Sequence, residues 1–139
     1  MGIVLSSFEF QSQNVSDSGR LIVYCGIAGN ALKAISVNDA LSRKLVSVSQ
    51  NKRALFMVEY LASIIPDQMD KIIIKDFDVM FNPNYSIDVL NVLINVNKRK
   101  HISIIWPGTI EGNTLVYAEQ GYADYKCFNI ENYDVICVD

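Results

Sequence analysis

An α/β domain built on a mostly parallel sheet is the fold class predicted for this 139-residue chain, and three observations predict it. Short apolar runs recur along the sequence: Leu21-Ile22-Val23-Tyr24-Cys25, Lys71-Ile72-Ile73-Ile74-Lys75 and His101-Ile102-Ser103-Ile104-Ile105-Trp106. Near-continuous apolar strands of this kind are buried on both faces, as in parallel sheets. Stretches of helical periodicity separate them, and turn residues follow each run. The order β-α-β-α-β-α-β implies crossover connections and hence three layers, with helices on both faces of one sheet. Half of the residues are hydrophobic, 19% are charged and the net charge is −3, which suits one domain over residues 1–139 with a well-supplied core.

Residues 3–13 carry a weakly amphipathic helical pattern, and Ser16-Asp17-Ser18-Gly19 is turn chemistry that delivers the chain into the first apolar strand. Gly26-Ile27-Ala28-Gly29-Asn30 then forms a small-residue turn. A helix is expected to begin near Asn30, although Leu32, Ile35, Leu41 and Leu45 fit its period only in part. Val46-Ser47-Val48-Ser49 alternates as a short strand does, and Ser49 suits the N-cap of the clearest helix, residues 51–65. There Leu55, Val58, Ala62 and Ile65 share one face, Met57, Leu61 and Ile64 lie beside it, and Pro66 marks the end. Asn82-Pro83-Asn84 is a turn, Ser86 caps a helix over 87–98, and the strand 101–106 stops at Pro107-Gly108. Gly112-Asn113 between β-prone segments predicts a hairpin, and Tyr133 to Val138 a closing strand, so a C-terminal hairpin and strand are added to the alternating pattern.

Composition narrows the function classes. No apolar run approaches the roughly 18 to 20 residues of a membrane-spanning helix, and the first residues lack a basic leader and long apolar core, so the expected location is the cytoplasm, away from membranes. A pI near 5.1 argues that DNA is met only indirectly, through a partner. Cys25, Cys127 and Cys137 form no Cys-x-x-Cys pair and read as core thiols, and the single histidine, His101, reads as a strand-entry residue, so zinc is not expected. Lys98-Arg99-Lys100-His101 is the only basic run and reads as a solvated helix end. Serine-nucleophile chemistry has no G-x-S-x-G elbow to stand on.

Two constellations bear on nucleotide binding. A hydrophobic strand, a Gly-containing turn and a helix start is the context that cradles phosphates with backbone N–H groups. Gly26, Gly29, Asn30 and Lys33 are the candidate binding residues. The full pattern, G-x-x-x-x-G-K-[ST], supplies a second Gly, a phosphate-bridging Lys and a magnesium-binding hydroxyl. Aligned on Gly26, those places hold Ala31, Leu32 and Lys33, and a loop longer by one residue puts Lys33 at the Lys place but Ala34 at the hydroxyl place. Asp76, which follows the strand Ile72 to Lys75, and Asp78 two residues on are the candidate metal ligands, because the acidic residue that holds magnesium in such sites stands directly after an apolar strand. Trp106 either closes the top of the core or stacks on a base or partner. Tyr117, Tyr122, Tyr125 and Phe128 read equally as core under the hairpin and as an interaction surface.

Taken together, the Gly26-to-Gly29 turn, Ile72-Ile73-Ile74-Lys75-Asp76-Phe77-Asp78 running to Phe81, and above all Ile105-Trp106-Pro107-Gly108 with Leu115-Val116-Tyr117-Ala118-Glu119 and Gly121-Tyr122-Ala123-Asp124-Tyr125 resemble the BrxF family, small P-loop proteins of type 3 BREX bacteriophage-exclusion systems. The resemblance covers the chain from about Leu21 onward. It implies a three-layer P-loop NTPase-like fold of the AAA-like type, a bacterial cytoplasmic location and work inside an antiphage complex. Gly26, Gly29 and Asp76 carry over as positions, whereas Ala31, Leu32 and Lys33 depart from the pattern. The leading expectation is a subunit with a degenerate loop and no bound cofactor that acts through contacts with other defence proteins or with itself. The alternative is an ATPase that binds ATP and Mg²⁺, with Lys33 or an Arg of a neighbouring subunit gripping phosphate and Asp76 or Asp78 holding the ion. A regulator of unrelated ancestry is the third reading, to be told apart by strand order.

Overall fold

The computed structural model describes residues 1–13, 19–30, 32–67 and 72–139. In chain order the elements are β1 (Ile3–Leu5), α1 (Ser7–Gln13), β2 (Leu21–Tyr24), α2 (Ile27–Asn30), β3 (Ile35–Ser36), α3 (Asn38–Val46), α4 (Gln50–Leu55), α5 (Met57–Ile64), β4 (Ile72–Lys75), α6 (Val89–Lys100), β5 (Ile102–Ile105), β6 (Thr109–Glu111), β7 (Thr114–Tyr117), β8 (Lys126–Asn129) and β9 (Val135–Val138). Short 3-10 turns at Asp78–Phe81, Pro83–Tyr85 and Ile130–Asn132 join them. Six strands form one sheet in the order β1-β9-β2-β5-β4-β3, every described pairing parallel, and β6-β7-β8 form a separate antiparallel sheet.

Alternation along each strand sorts side chains onto two faces. Leu21, Val23, Ile72, Ile74, Ile102, Ile104, Val135 and Cys137 point to one face, where α3 (Leu41, Leu45), α5 (Met57, Leu61) and α6 (Leu90, Leu93, Val96) pack on them as one buried cluster. The other face, with Leu5, Ile22, Ile136 and Val138, receives only Phe10 of α1 and Ala28 of α2. The expected three layers are therefore unequal: the longer helices share one side, and a thin layer of short helices serves the other.

Several local expectations give way to packing. Ile3 to Leu5 leave the predicted helix and pair with β9 in register Ile3↔Ile136 to Leu5↔Val138, because three apolar residues gain a ladder there. The helix that follows is only α1, capped by the reciprocal bonds Ser6 N to Glu9 Oε1 (3.0 Å) and Glu9 N to Ser6 Oγ (3.1 Å). The expected strand Val46 to Ser49 is instead the end of α3 and a turn, where Ser47 Oγ donates to Lys44 O (2.7 Å) and Val48 N to Leu45 O (3.2 Å). The helix over 51–65 is two helices, broken at Phe56 (φ −111°, ψ 24°), and the break rotates Leu55 out to 73% exposure while Met57 and Leu61 turn inward. At 87–98 the cap is Asp88, accepting from Asn91 N (3.0 Å), and Ser86 lies in the left-handed region at φ 51°. His101, at φ 49°, ends α6 instead of starting a strand. The turn residues Ser16, Asp17 and Ser18, and Lys71, lie outside the described residues.

The antiparallel sheet is welded to the main one by aromatic rings. Trp106, 4% exposed, donates from Nε1 to Val116 O (3.0 Å) and meets Phe81 and Phe128 edge-on at 5.9 and 5.7 Å, while Phe81 stacks on Tyr117 at 3.7 Å. Trp106 thus closes the core. Gly108 permits the approach of β7, since a Cβ there would lie 1.9 Å from Val116 O.

Across the molecule, Asn97 ties α6 to the central strands: its Oδ1 accepts from Ile102 N (2.8 Å) and its Nδ2 donates to Gly19 O (3.0 Å). Two predictions follow from these contacts. Gly108→Ala is expected to destabilise by about 3 kcal/mol, against about 1 kcal/mol for Gly112→Ala, where φ is +60° but the space is open. Asn97→Ala is expected to cost about 1 to 3 kcal/mol by orphaning the buried N–H of Ile102. Urea unfolding followed by the fluorescence of the single tryptophan measures all three.

Candidate functional site

Open α/β sheets bind ligands outside the carboxyl ends of their strands. That edge here carries Cys25-Gly26 after β2, Trp106 after β5, Asp76 after β4 and Asp139 after β9. Gly26 and Asp76 are separated by β5, two strand spacings or about 10 Å.

Register shows how the chain leaves β2. Val23, Ile104, Ile74 and Ile35 occupy one row across β2, β5, β4 and β3, so the chain passes from Tyr24 to Ile35 over the carboxyl edge itself. Tyr24 and Ile35 thereby stand three strand spacings apart, about 14 Å. A long helix packed back along a sheet face does not fit that route, which is why α2 has four residues rather than the helix expected near Asn30. Gly29 is buried, and a Cβ on it would lie 2.8 Å from Ile105 Cγ2, so its smallness lets α2 rest on β5.

The predicted binding residues are accordingly spread out. Gly26 is exposed with φ +54°, Gly29 serves packing, Asn30 ends α2 with its side chain outside the described set, and Lys33 is exposed two residues before β3, on the β4 side of the sheet. Ala31 lies outside the described residues. The loop's amides turn inward: Ala28 N donates to Cys25 O (3.1 Å), Gly29 N to Gly26 O (3.2 Å), Leu32 N to Gly29 O (3.3 Å) and Cys25 N to Val138 O (2.8 Å). A phosphate cradle needs such groups pointing outward and a helix dipole behind them, and a four-residue helix supplies little of either.

Carboxylates border the same edge. A Cβ on Gly26 would lie 3.5 Å from Asp139 Oδ1, and Asp139 is anchored by its N–H to Leu5 O (3.0 Å). The buried Cys25 thiol is pushed up and held protonated, first by its hydrogen bond with Cys137, then by burial and by the charges of Cys137 and Asp139. Asp139 was not singled out from the sequence, yet its signal was there: Val135-Ile136-Cys137-Val138-Asp139 repeats the pattern of an apolar strand followed by Asp that drew attention to Asp76.

Asp76 is exposed with φ 56°, and Asp78 opens the 3-10 turn below Tyr117. Among the described residues no group of three or more His, Cys, Asp or Glu converges to hold a metal ion. Magnesium takes only one or two protein carboxylates and fills its octahedron with water and phosphate oxygens, so Asp76 fits such an ion only in company with a nucleotide. Asp78 is already engaged: burial, and then its carboxylate, push the Tyr117 hydroxyl up to about 12. Of the basic run, Arg99 Nη2 meets Glu59 Oε1 at 3.3 Å, and Lys100 Nζ donates to Ile65 O (3.2 Å) and pairs with Asp67, so two of its cations serve the helix packing. Of the aromatic stretch, Phe128 is core, Tyr117 half-buried and Tyr122 exposed, while Cys127, also exposed, donates from Sγ to Tyr125 Oη (2.8 Å).

Tyr133 is likewise pushed up to about 12, by burial and then by its hydrogen bond to Asp88 (2.7 Å). Both tyrosines have folded-state values above the unfolded value of 10.0, so their contribution is complete below pH 10 and is lost as pH rises through 12. Denaturant titrations from about pH 9 to 12 are expected to show stability falling over that window, and falling less in Tyr117→Phe. No helix among the described residues is long and apolar enough to cross a membrane. Compared with protein-family models, curated proteins and solved structures, the chain matches none.

Proposed function

We propose that the chain is a P-loop-like subunit of a bacterial antiphage complex of the BREX type, with a degenerate phosphate loop, that works in the cytoplasm mainly through protein contacts. Strand order supports the P-loop-like part of this reading, and the antiphage part rests on the resemblance. With β1 set aside, the other five parallel strands, numbered along the chain, lie across the sheet as 5-1-4-3-2. The strand ending in the Gly turn and the strand ending in Asp76 then flank a third, as expected for the AAA-like fold that the resemblance implies. The doubly wound orders 3-2-1-4-5 and 2-1-3-4-5 both place the first strand beside the second, and this sheet does not. The bonded amides of Cys25, Ala28, Gly29 and Leu32, the nearby Asp139 carboxylate and the absence of the Lys and hydroxyl at the loop favour a contact role over phosphate chemistry.

Two measurements test it. A tagged chain drawn from cells that carry the rest of its operon is expected to bring down a stable partner, and recovery of the chain alone overturns the reading. Millimolar ATP with Mg²⁺ is expected to move the thermal midpoint by less than about 1 °C, because a ligand at 100 times its Kd adds about 2.7 kcal/mol and moves a domain of this size by several degrees. A shift of that size, abolished in Asp76→Asn, assigns the chain to the ATP-binding alternative.

A further inference from the structure

Charge is segregated along this chain in a way its net value hides. Residues 43–58 hold four cations, Arg43, Lys44, Lys52 and Arg53, and no carboxylate, whereas residues 109–139 hold six carboxylates and one lysine. Of those carboxylates Asp134 pairs with Arg20 (3.1 Å) and Asp139 stands at the carboxyl edge of the main sheet, which leaves Glu111, Glu119, Asp124 and Glu131 to the antiparallel sheet and its loops. The end of α3, the turn after it and α4 form a basic corner in which no residue of α4 is buried. Val46 and Leu55 stand 72% and 73% exposed there, beside the partly exposed Phe56. Arg43 pairs with Asp39 (2.5 Å) and Glu59 with Arg99 (3.3 Å), so the positive charge of the corner rests on Lys44, Lys52 and Arg53.

The antiparallel sheet presents the opposite character. Glu111 and Glu119 are exposed and Asp124 is half-exposed, and Tyr122, in the loop that holds Glu119 and Asp124, is 65% exposed. The loop bearing Tyr122 is internally braced: Tyr122 N donates to Glu119 O (3.2 Å) and Tyr125 N to Tyr122 O (3.1 Å), with Ala118 and Gly121 at φ 64° and 98° setting its bends. An exposed aromatic on a braced loop costs little ordering entropy on docking, and aromatic side chains are enriched among the residues that anchor interfaces.

The N-terminal end of α3 is pinned beside the aromatic cluster by Asn38 Oδ1, which accepts from Val79 N (3.0 Å), and Val46 lies eight residues farther along the axis, about 12 Å.

We infer that the basic corner around Leu55 docks on the acidic, Tyr122-bearing sheet of a second copy of the chain. The two patches differ, so the contact is heterologous and propagates head to tail. Opposite potentials steer the encounter and choose the register, and the exposed apolar groups supply the contact that is lost to water in the free chain. This inference deepens the contact-subunit reading by naming one of its contacts, and it rests on that reading only for biological purpose.

Sedimentation velocity on the full chain between about 10 and 200 µM tests it. At about 50 mM salt the wild type is expected to grow beyond dimers with concentration, and its association to weaken at least about tenfold at about 500 mM. Lys52→Glu with Leu55→Ser, and separately Glu119→Lys with Tyr122→Ser, are expected to be monomeric with unchanged circular dichroism. Mixed in equal amounts, these variants are expected to stop at dimers, since each keeps one intact surface. A monomeric wild type at low salt, variants that still associate, or a mixture that stays monomeric overturns the inference. So does a monomer that instead sediments with anionic phospholipid vesicles, which assigns the corner to a lipid surface. A monomer that still co-purifies with another protein overturns the inference and leaves the contact-subunit reading standing. Salt-sensitive, variant-sensitive chains of copies with no other partner do the reverse.

Discussion

One buried amide holds the parts of the sheet from which the rest is hung. Asn97 is the single buried polar side chain among the described residues, and both ends of its amide are bonded, Oδ1 to the N–H that opens β5 and Nδ2 to the carbonyl of Gly19 just before β2. A buried amide left unpaired costs far more than a paired one returns, so the arrangement tolerates only one height for α6 relative to the two central strands. That height sets where the chain emerges at Gly26 and at Trp106. The aromatic cluster around Trp106 then has a fixed seat, and the antiparallel sheet can only land where Val116 O meets the indole N–H.

The carboxyl edge follows from the same constraint. Because β3 joins the sheet high on β4, with Ile35 level with Ile74, the connection from β2 has to cross the edge rather than run down a face. Crossing engages the N–H groups of Ala28, Gly29 and Leu32 in local turns and lays Gly29 against Ile105. An edge that holds phosphate in other proteins is here occupied by the chain's own crossover and flanked by Asp139 and Asp76.

What was legible in the sequence had a local cause. Leu21 to Tyr24, Ile72 to Lys75 and Ile102 to Ile105 were readable as parallel strands because a strand buried on both faces needs apolar residues at every position. Gly112-Asn113 was readable as a hairpin because its φ of +60° suits glycine. Ile3 to Leu5 and Ile35-Ser36 were not readable, since segments this short become strands only when a neighbour supplies the ladder. Val46 to Ser49 alternated like a strand but had no edge to join, and Leu55 sat on the predicted apolar face until the break at Phe56 shifted the phase. Of the candidate site, Gly26 and Asp76 were correctly placed at strand ends, whereas the route of residues 25–34 depended on a strand order that no local pattern encodes.

The chain by itself determined that apolar runs would alternate with helices around a parallel sheet, that its loop would lack a phosphate-gripping Lys and hydroxyl, and that Trp106 would be followed by a breaker. These are matters of residue chemistry and period, and neighbours in sequence suffice to read them. Only the tertiary structure decided that β5 lies between β2 and β4 and that the longer helices share one face. Those outcomes rest on pairings between residues tens of positions distant, such as Asn97 with Gly19 and Asn38 with Val79, whose energies exist only once the chain has closed on itself.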